Sequence, residues 1–250
     1  CDHGILAAGL HVSFFCEHKY SVYVCAGYLH TYCMCVKCGM AEKTQKLPET
    51  GKAGSSGGRR SNAERHAETR TALMAAARAL FAEKGFAETG TPEIVRRAGV
   101  TRGALYYHFA DKRDLFRTVL EAEERALADR INRESEPLTD DPVEALMAGT
   151  RAFLAAASDE DTNRIIFVDG PAALGWDDWR EIDDQYTGST LRDGLESGMN
   201  AGVLRVLPLD ELTNMLSASF NEAALGLGSG RYKPAALEET FRALFEGLRA

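Results

Sequence analysis

Residues 99–112, GVTRGALYYHFADK, decide the fold of this chain. They follow TPEIVRRA at positions 91–98, in which Thr91 is suited to cap a helix and Pro92 to occupy its first position. Gly99 is suited to end that helix. The sequence therefore predicts two short helices joined by a glycine-containing turn. Such a helix-turn-helix places its second helix in the DNA major groove, while the first crosses the phosphate backbone.

The predicted second helix has an inner and an outer side. Leu105 and Phe109 lie four residues apart and are expected in the core. Thr101 can cap the helix and donate to a phosphate. Arg102 lies at the helix N-terminus, where it can bond a guanine through two parallel hydrogen bonds. Gly103 has no side chain that would keep the helix from the groove. Thr101, Arg102 and Gly103 are therefore the first candidates for DNA contact.

A longer stretch, about residues 69–117, resembles the N-terminal domain of the TetR family of transcriptional regulators. The shared features keep the family's order and spacing: ALF at 79–81, EKGF at 83–86, Ile94, RAGVT at 97–101, GALYYHF at 103–109 and DK at 111–112. The family often has two threonines where the second helix begins, whereas this chain has Gly90 and Thr91. Only Thr91 can fill that role here.

The resemblance implies DNA contacts by further residues of this region. They are Thr91, the recognition-helix residues Tyr106, Tyr107 and His108, and Lys112, which is expected to contact a phosphate. The rings of the tyrosines and the histidine carry a hydrogen-bond donor and can also contact thymine methyl groups. Packing within the protein is the alternative role for these three rings, and a solvated lysine is the alternative for Lys112.

Together with the apolar spacing that recurs from Leu73 onward, the resemblance implies an all-α fold. An N-terminal three-helix helix-turn-helix DNA-binding domain, residues 66–117, would be followed by a larger helical ligand-binding and dimerisation domain, residues 118–250. Residues 40–65 are polar and rich in Gly and Ser, which predicts a flexible basic linker or arm. Residues 1–39 are a Cys-rich segment of open status, with Met40 as a credible natural start.

Charge is distributed unevenly along the chain. The 250 residues have a formal net charge of −8, which by itself argues against a nucleic-acid-binding protein. Residues 59–117, however, contain 12 basic and 7 acidic side chains, a net charge of +5, whereas residues 118–250 contain 12 and 26, a net charge of −14. The acidic part would repel DNA phosphates and help to orient the basic part toward a duplex.

All six cysteines lie within the first 38 residues, so the recognisable domains cannot depend on a disulfide. Cys35 and Cys38 form a C-x-x-C pair, but structural zinc sites usually have two separated pairs, and we expect no metal and no cofactor. A metal- or redox-sensing regulator that uses these cysteines is the alternative. No secretory signal and no membrane-spanning run is recognised, and a reducing cytoplasm suits the chain.

The resemblance implies that a small-molecule inducer binds between helices of the C-terminal domain and moves the fourth helix. An apolar or aromatic molecule is the expected ligand. Arg151, Asn163 and Asn221 are candidate polar markers of the site. Packing in the core is the alternative for every apolar candidate, because such side chains are usually buried. These candidates are Met147, Phe153, Phe167, Trp176, Trp179, Tyr186, Met199 and Phe220.

One helix-turn-helix makes few DNA contacts, and the family uses a homodimer on a palindromic double-stranded operator. The last two helices are expected to form the dimer interface, and packing in the core of one subunit is the alternative for their residues. These residues are Ala218, Ser219, Ala223, Ala224, Gly226, Leu216, Phe220, Phe241, Leu244 and Leu248. No catalytic set of nucleophile, base and orienting group is recognised, so a helical enzyme is a distant alternative. We therefore expect a cytoplasmic repressor that a small apolar molecule releases from its operator.

Overall fold

The computed structural model describes the backbone of residues 20–25, 28–33 and 41–46, and the backbone and side chains of residues 61–135 and 141–250. The chain divides into two units, Cys1–Arg59 and Arg60–Ala250. The metal- or redox-sensing alternative depends on cysteine side chains of residues 1–38, and all of these lie outside the described side chains.

The described part of the first unit is an antiparallel three-stranded sheet. Its strands, in spatial order, are β1 (Tyr20–Cys25), β2 (Tyr28–Cys33) and β3 (Ala41–Lys46). Cys33 of β2 is in register with Tyr20 of β1 and with Ala41 of β3. The first two strands are rich in Tyr, Val and Thr and are separated by two residues, which is typical of a hairpin, although no strand was predicted here. β3 falls within the predicted flexible linker.

Four helices begin the second unit: α1 (Asn62–Glu88), α2 (Thr91–Ala98), α3 (Arg102–His108) and α4 (Lys112–Ser135). α1 begins inside the predicted linker because Ser61 and Glu64 form a capping box. The Ser61 hydroxyl accepts from the Glu64 amide at 3.1 Å, and the Glu64 carboxylate accepts from the Ser61 amide at 2.7 Å. Gly85, with a φ of 83°, interrupts α1 before its last turn.

α1, α2 and α3 close around an apolar core. Leu105 and Phe109 are buried in it, as predicted from their spacing. Each large apolar side chain buried in this way stabilises the fold by about 1.5–3 kcal/mol, so the core fixes the position of α3 on α1 and α2. The other main members of the core are Leu73, Ala77, Leu80, Phe81, Ile94 and Phe116.

The rest of the second unit is also helical, and the chain remains helical through Gly170 and Pro171. Proline is tolerated in the first turn of a helix, where no amide donor is needed. The chain leaves the helical conformation at Gly175, whose φ is 82°. The elements are α5 (Pro142–Ala157), α6 (Glu160–Asn163), a π-helical segment (Arg164–Asp169), α7 (Gly170–Leu174), α8 (Trp176–Gln185), α9 (Thr187–Asn200), α10 (Leu209–Gly228) and α11 (Pro234–Glu246).

α4 is the long helix that connects the helix-turn-helix to this C-terminal bundle, because it packs against α1 as well as against α5 and α9. Gly149 allows the close approach of α5, since a Cβ atom there would lie 2.7 Å from Ser135 Oγ. The predicted all-α fold is confirmed for the described residues from 61 onward. Among the helices of the described residues, none combines the length and the apolar character needed to span a membrane.

Candidate nucleic-acid interface and cavity

The turn between α2 and α3 is fixed by local contacts. Gly99 is left-handed, with φ 68° and ψ 28°, and Thr101 Oγ1 accepts a hydrogen bond from the Ala104 amide at 3.2 Å. The prediction that Thr91 caps α2 is wrong. Gly90 has the extended backbone of the capping position, whereas Thr91 is the first helical residue. The Thr91 hydroxyl is therefore free to turn toward α3.

The outer side of α3 is formed by Arg102, Tyr106 and Tyr107. The Tyr106 hydroxyl is hydrogen-bonded to the side chains of Thr91 and Arg102. Both bonds lower the pKa of the phenol, and the bond to Thr91 has the larger effect. The Arg102 guanidinium also lies 5.4 Å from the centre of the Tyr106 ring. Tyr106 is 44% exposed and Tyr107 is 76% exposed. This places both predicted tyrosines and the predicted arginine on one accessible face.

Gly103 leaves this face open. A Cβ atom at this position would have Thr101 Oγ1 as its nearest contact outside the adjoining backbone, at 3.9 Å. The residue is helical, so its backbone does not require glycine either. Nothing in the described fold therefore explains a glycine in the first turn of α3, where it weakens the helix by up to about 1 kcal/mol relative to alanine.

Most arginines and lysines near α3 are held by carboxylates of the same region. Arg97 forms two hydrogen bonds with the Glu83 carboxylate, at 2.6 and 2.7 Å, and Lys84 pairs with Glu93 at 2.6 Å. Arg96 lies 3.5 Å from Glu93 but its side chain is 77% exposed. Among the described residues, Arg102 has no carboxylate partner in such a pair. Its charge is therefore available to an external anion or base.

His108 faces α1 and not the outer side of α3. Its ring is 4.1 Å from the ring of His66, and its Nδ1 atom is buried without a partner among the described residues. Burial, followed by the nearby charges of His66 and Arg70, lowers the pKa of His108. A DNA contact by His108 stays a prediction, and the packing alternative agrees better with this geometry.

Lys112 is bound to the end of α1. Its Nζ donates to the carbonyl oxygens of Phe86 at 2.8 Å and Thr89 at 3.0 Å, and it lies 4.1 Å from the centre of the Phe86 ring. An ammonium group has three donors, so one N–H is left for a phosphate. The predicted phosphate contact is thus compatible with a structural role that the sequence did not indicate.

A cavity of about 450 Å³ lies between α4, α5, α8, α9 and α10. This volume is within the range of small-molecule sites. Leu146, Phe153 and Phe220 contribute to an apolar wall, and Asp183 and Asn221 contribute to a polar one. The remaining lining residues are Ile131, Asn132, Ser135, Pro142, Ala145, Gly149, Thr150, Thr187, Gly188, Thr190, Leu191, Asp193, Gly194, Ser197 and Ser217.

Family models match both parts of the second unit. The model of bacterial regulatory proteins of the tetR family matches residues 73–119, and the model of the tetracyclin repressor-like C-terminal domain matches residues 143–248. The chain belongs to the TetR family of transcriptional regulators. This confirms the resemblance that residues 69–117 carry, and it extends the family assignment to the C-terminal bundle.

Individual relatives agree with this assignment. The chain is 48% identical over 62 residues to the HTH-type transcriptional repressor BepR of Brucella suis, a match that covers 25% of this chain and 29% of that protein. It is 33% identical over 99 residues to the HTH-type transcriptional regulator AcrR of Shigella flexneri, with 40% and 46% covered. The chain therefore matches less than half the length of these two curated relatives.

Solved TetR-family structures have the same fold. A crystal structure of a TetR-family transcriptional regulator from Pectobacterium atrosepticum is similar to this chain with a TM-score of 0.61 and 28% sequence identity. The similarity covers 76% of this chain and 98% of that one. This similarity covers a larger share of the chain than the two curated matches do.

Two of the aromatic residues predicted for a ligand site, Phe153 and Phe220, line the cavity of this TetR-family protein. Phe167 is buried behind Phe153, with ring centres 5.6 Å apart, and Met147 is fully buried without reaching the cavity. Met199 does not line the cavity either. Apolar spacing marks the side of a helix that is buried, but it does not distinguish a core from a cavity wall.

The other three aromatic candidates also lie away from the cavity. Trp179 is buried and its Nε1 donates to the Ile166 carbonyl at 2.9 Å, whereas Trp176 is 60% exposed. The Tyr186 hydroxyl accepts from Arg125 at 2.8 Å. Of the polar markers, Asn221 lines the cavity, but Arg151 pairs with Glu238 and Asn163 bonds two backbone carbonyls.

A buried carboxyl pair beside the cavity was not predicted. Thr187 Oγ1 lies 2.9 Å from Glu124 Oε2 and 2.8 Å from Asp183 Oδ1. The hydroxyl can donate to only one of these carboxyls, so the other must donate to it and must be protonated. Asp183 is the ionised member, since Arg180 donates to it at 2.7 Å. Burial, followed by the charge of Asp183, raises the pKa of Glu124 to about 8.

A sequence signal for Glu124 did exist. Leu120, Leu127 and Ile131 form the buried side of α4, and Glu124 lies on that side, four residues after Leu120. A charged residue within an apolar stripe is a candidate buried acid. Its partner Thr187 is 63 residues away in the sequence, which is why the pattern alone could not show what it binds.

The helix-turn-helix and the C-terminal bundle are joined at the end of α1. Asp169 accepts from the Phe86 amide at 2.7 Å, and Arg164 donates to the carbonyl oxygens of Ala82 and Glu83, each at 3.1 Å. Arg113 of α4 also pairs with Asp178 of α8 at 2.6 Å. The π-helical segment and α8 therefore contact the DNA-binding part directly.

Among the described residues, no group of three or more His, Cys, Asp and Glu side chains is arranged to hold a metal ion.

Proposed function

We propose that this TetR-family chain is a ligand-responsive, DNA-binding transcriptional repressor that acts in the cytoplasm as a homodimer. The observation that carries the proposal is the outer face of α3. It combines an arginine without a carboxylate partner, two accessible tyrosines and a glycine that the fold does not require. A major groove admits such a helix, and Arg102 at its start is placed to read a guanine.

A second copy of the chain is the proposed partner, bound through α10 and α11. Three large apolar side chains on these helices are accessible in the single chain: Met215 is 71% exposed, Leu225 39% and Leu244 45%. Ala218 and Ser219 are also exposed and small enough for close approach of a helix. Of the residues expected at this interface, Leu216, Phe220, Ala223, Ala224, Gly226 and Phe241 are instead buried within the subunit.

The cavity is the proposed ligand site. Its wall includes residues of α4, the helix that begins at Lys112 beside the recognition helix. A ligand that alters the position of α4 would change the distance between the two recognition helices of the dimer. These must remain roughly 34 Å apart to reach successive major grooves, so a ligand that favours another geometry releases the operator.

Selection of bound duplexes from a random pool tests the DNA-binding proposal. We expect a palindromic sequence, because a two-fold symmetric dimer contacts two equivalent half-sites. Binding of that duplex should weaken steeply with added salt, since phosphate contacts release counterions. Failure to enrich any sequence, together with absence of salt-sensitive duplex binding, would refute the proposal.

Arg102→Ala tests the proposed base contact, with Arg96→Ala as a matched control on the neighbouring helix. Loss of Arg102 should weaken binding unequally across operator variants, by about 1–3 kcal/mol at the base that it reads. Arg96 is 77% exposed and lies on the helix that crosses the backbone, so its loss should weaken all sequences alike. An equal loss on every sequence for Arg102→Ala would remove its base-reading role.

Deletion of residues 1–39 tests the metal- or redox-sensing alternative. We expect operator binding and ligand response to be unchanged, because the proposed DNA-binding and ligand sites lie wholly within residues 61–250. A response to zinc or to oxidation that disappears with the deletion would favour the alternative.

A further inference from the structure

We propose that the cavity selects ligands with a positively charged nitrogen, an organic ammonium or amidinium attached to an aromatic or aliphatic body. This inference rests on the proposed function, since it names the chemical class that the proposed ligand site would take. Asp183 and Asp193 would attract the charge, and Asn221 would bond an acceptor group elsewhere on the ligand.

The charge on the cavity wall is the first observation. Asp183 and Asp193 line the cavity, and among the described residues no lysine, arginine or histidine does so. Arg180 is the nearest cation to Asp183, but it divides its guanidinium between Asp183 and Asp184, with distances of 2.7 Å to each. The site therefore keeps a net negative charge, which would repel a carboxylate or phosphate ligand and attract a cation.

The second observation is a set of buried polar atoms that the protein does not pair. Asn221 is only 7% exposed and lines the cavity, yet its Nδ2 has no acceptor among the described residues. Glu124 is completely buried, and its Oε1 has no donor among the residues that the structure describes. Buried polar atoms of this kind usually have partners. Asn221 Nδ2 therefore marks a group that a ligand in the cavity would satisfy, whereas Glu124 does not line the cavity.

The Glu124 carboxyl adds to the preference for a cation. It contacts the cavity wall through Thr187, whose hydroxyl bonds both Glu124 and Asp183. In the absence of a ligand one proton is held within this group, because a single hydroxyl hydrogen cannot serve both carboxyls. A cation bound beside Thr187 would favour the ionised form of Glu124, and the released proton would pass to solvent.

The aromatic wall is the third observation. Phe153 and Phe220 line the cavity, and their ring centres are 5.0 Å apart. The negative face of an aromatic ring attracts ammonium groups as well as other rings, so both the charged end and the body of the proposed ligand have suitable neighbours.

A set of three probes with one ring system separates charge from shape. They are 1-naphthylmethylamine, 1-naphthalenemethanol and 1-naphthoate, which are cationic, neutral and anionic at pH 7. Isothermal titration calorimetry with the full-length protein should give an affinity for the amine at least about tenfold above that for the alcohol, as expected for one added charge interaction. The naphthoate should bind most weakly.

Asp193→Asn gives the matched test. Asp193 is exposed in the cavity, so its replacement should leave the fold intact while lowering the affinity for the amine about three- to tenfold and leaving the alcohol unchanged. Glu196→Gln is the control, because Glu196 is an exposed acid on the same helix that does not line the cavity. It should change neither affinity.

The proton count gives an independent readout. Amine binding at pH 7, compared in two buffers with different ionisation enthalpies, should release up to about one proton, and Glu124→Gln should abolish that release.

Three outcomes would overturn the proposal: equal affinities for amine and alcohol, tighter binding of the naphthoate, or no saturable binding of the amine. None of them affects operator binding by the ligand-free protein, which tests the proposed function separately.

Discussion

The Glu124→Gln variant should lose less stability than the wild type as the pH rises, so the difference in their free energies of unfolding should grow with pH. Glutamine has nearly the shape of the protonated glutamic acid, and its amide can donate to Thr187 Oγ1 as the carboxyl does now. The buried carboxyl has an ordinary pKa of 4.5 when unfolded and a pKa of about 8 in the fold. Between these values the folded state holds a proton that the unfolded state has lost.

The sign follows from proton linkage. Unfolding releases this proton above pH 4.5, so stability from Glu124 is complete below that pH and falls as the pH approaches about 8. Each pH unit within this window lowers the free energy of unfolding by up to about 1.4 kcal/mol. From pH 5.5 to 7.5 the wild type should therefore lose roughly 2.5 kcal/mol that the glutamine variant does not lose.

Urea unfolding of both proteins at several pH values, at one fixed protein concentration, measures this difference. The other ionisable groups are common to both proteins, so their contributions cancel in the comparison. Glu196→Gln, which removes an exposed acid, should follow the wild-type pH dependence. Parallel curves for wild type and Glu124→Gln would show that Glu124 does not hold a proton at neutral pH.

Three further predictions concern the DNA-binding part and its junction with the bundle. Gly103→Ala should raise the free energy of unfolding by up to about 1 kcal/mol, because alanine favours the helix and its methyl group has free space. The same methyl group would lie in the DNA groove and should weaken operator binding. Thermal unfolding measures the first effect and a duplex-binding assay the second. Lys112→Met should lower the free energy of unfolding by about 1–3 kcal/mol, since the Phe86 and Thr89 carbonyl oxygens lose their donor. If the remaining N–H of Lys112 contacts a phosphate, the variant should also lower the salt slope of operator binding by about one unit. Asp169→Ala should cost about 1.5–3 kcal/mol in urea unfolding through the lost bond to the Phe86 amide, whereas Asp161→Ala, an exposed acid on α6, should cost less than about 1 kcal/mol.

The helix-turn-helix could be predicted because its signals are local. Gly99 marks a helix end, Thr101 caps α3 and the spacing of Leu105 and Phe109 marks its inner side, and each of these is confirmed. The wrong cap of α2 shows the limit of such signals. Gly90 and Thr91 are both acceptable caps. In the structure Gly90 is the cap, and the Thr91 side chain is hydrogen-bonded to Tyr106 of the next helix.

The ligand site was only partly predictable. Phe153 and Phe220 were chosen as aromatic residues on buried helix sides, and they line the cavity together with Asn221. Trp179 and Phe167 satisfied the same criterion but are packed in the core. A helix buried in a bundle is surrounded by neighbours, so periodicity shows that a side chain is inside without showing whether another side chain or a cavity faces it.

The sequence by itself determined the family, the all-α character of the second unit, and the inward side of α3 formed by Leu105 and Phe109. Caps, helical spacing and a contiguous motif are properties of residues close together in the chain, and they are readable there. The tertiary structure alone decided the cavity, the proton shared near Glu124 and the attachment of Lys112 to α1. These depend on contacts across 63 and 26 residues of sequence, and such contacts form only when the helices have packed.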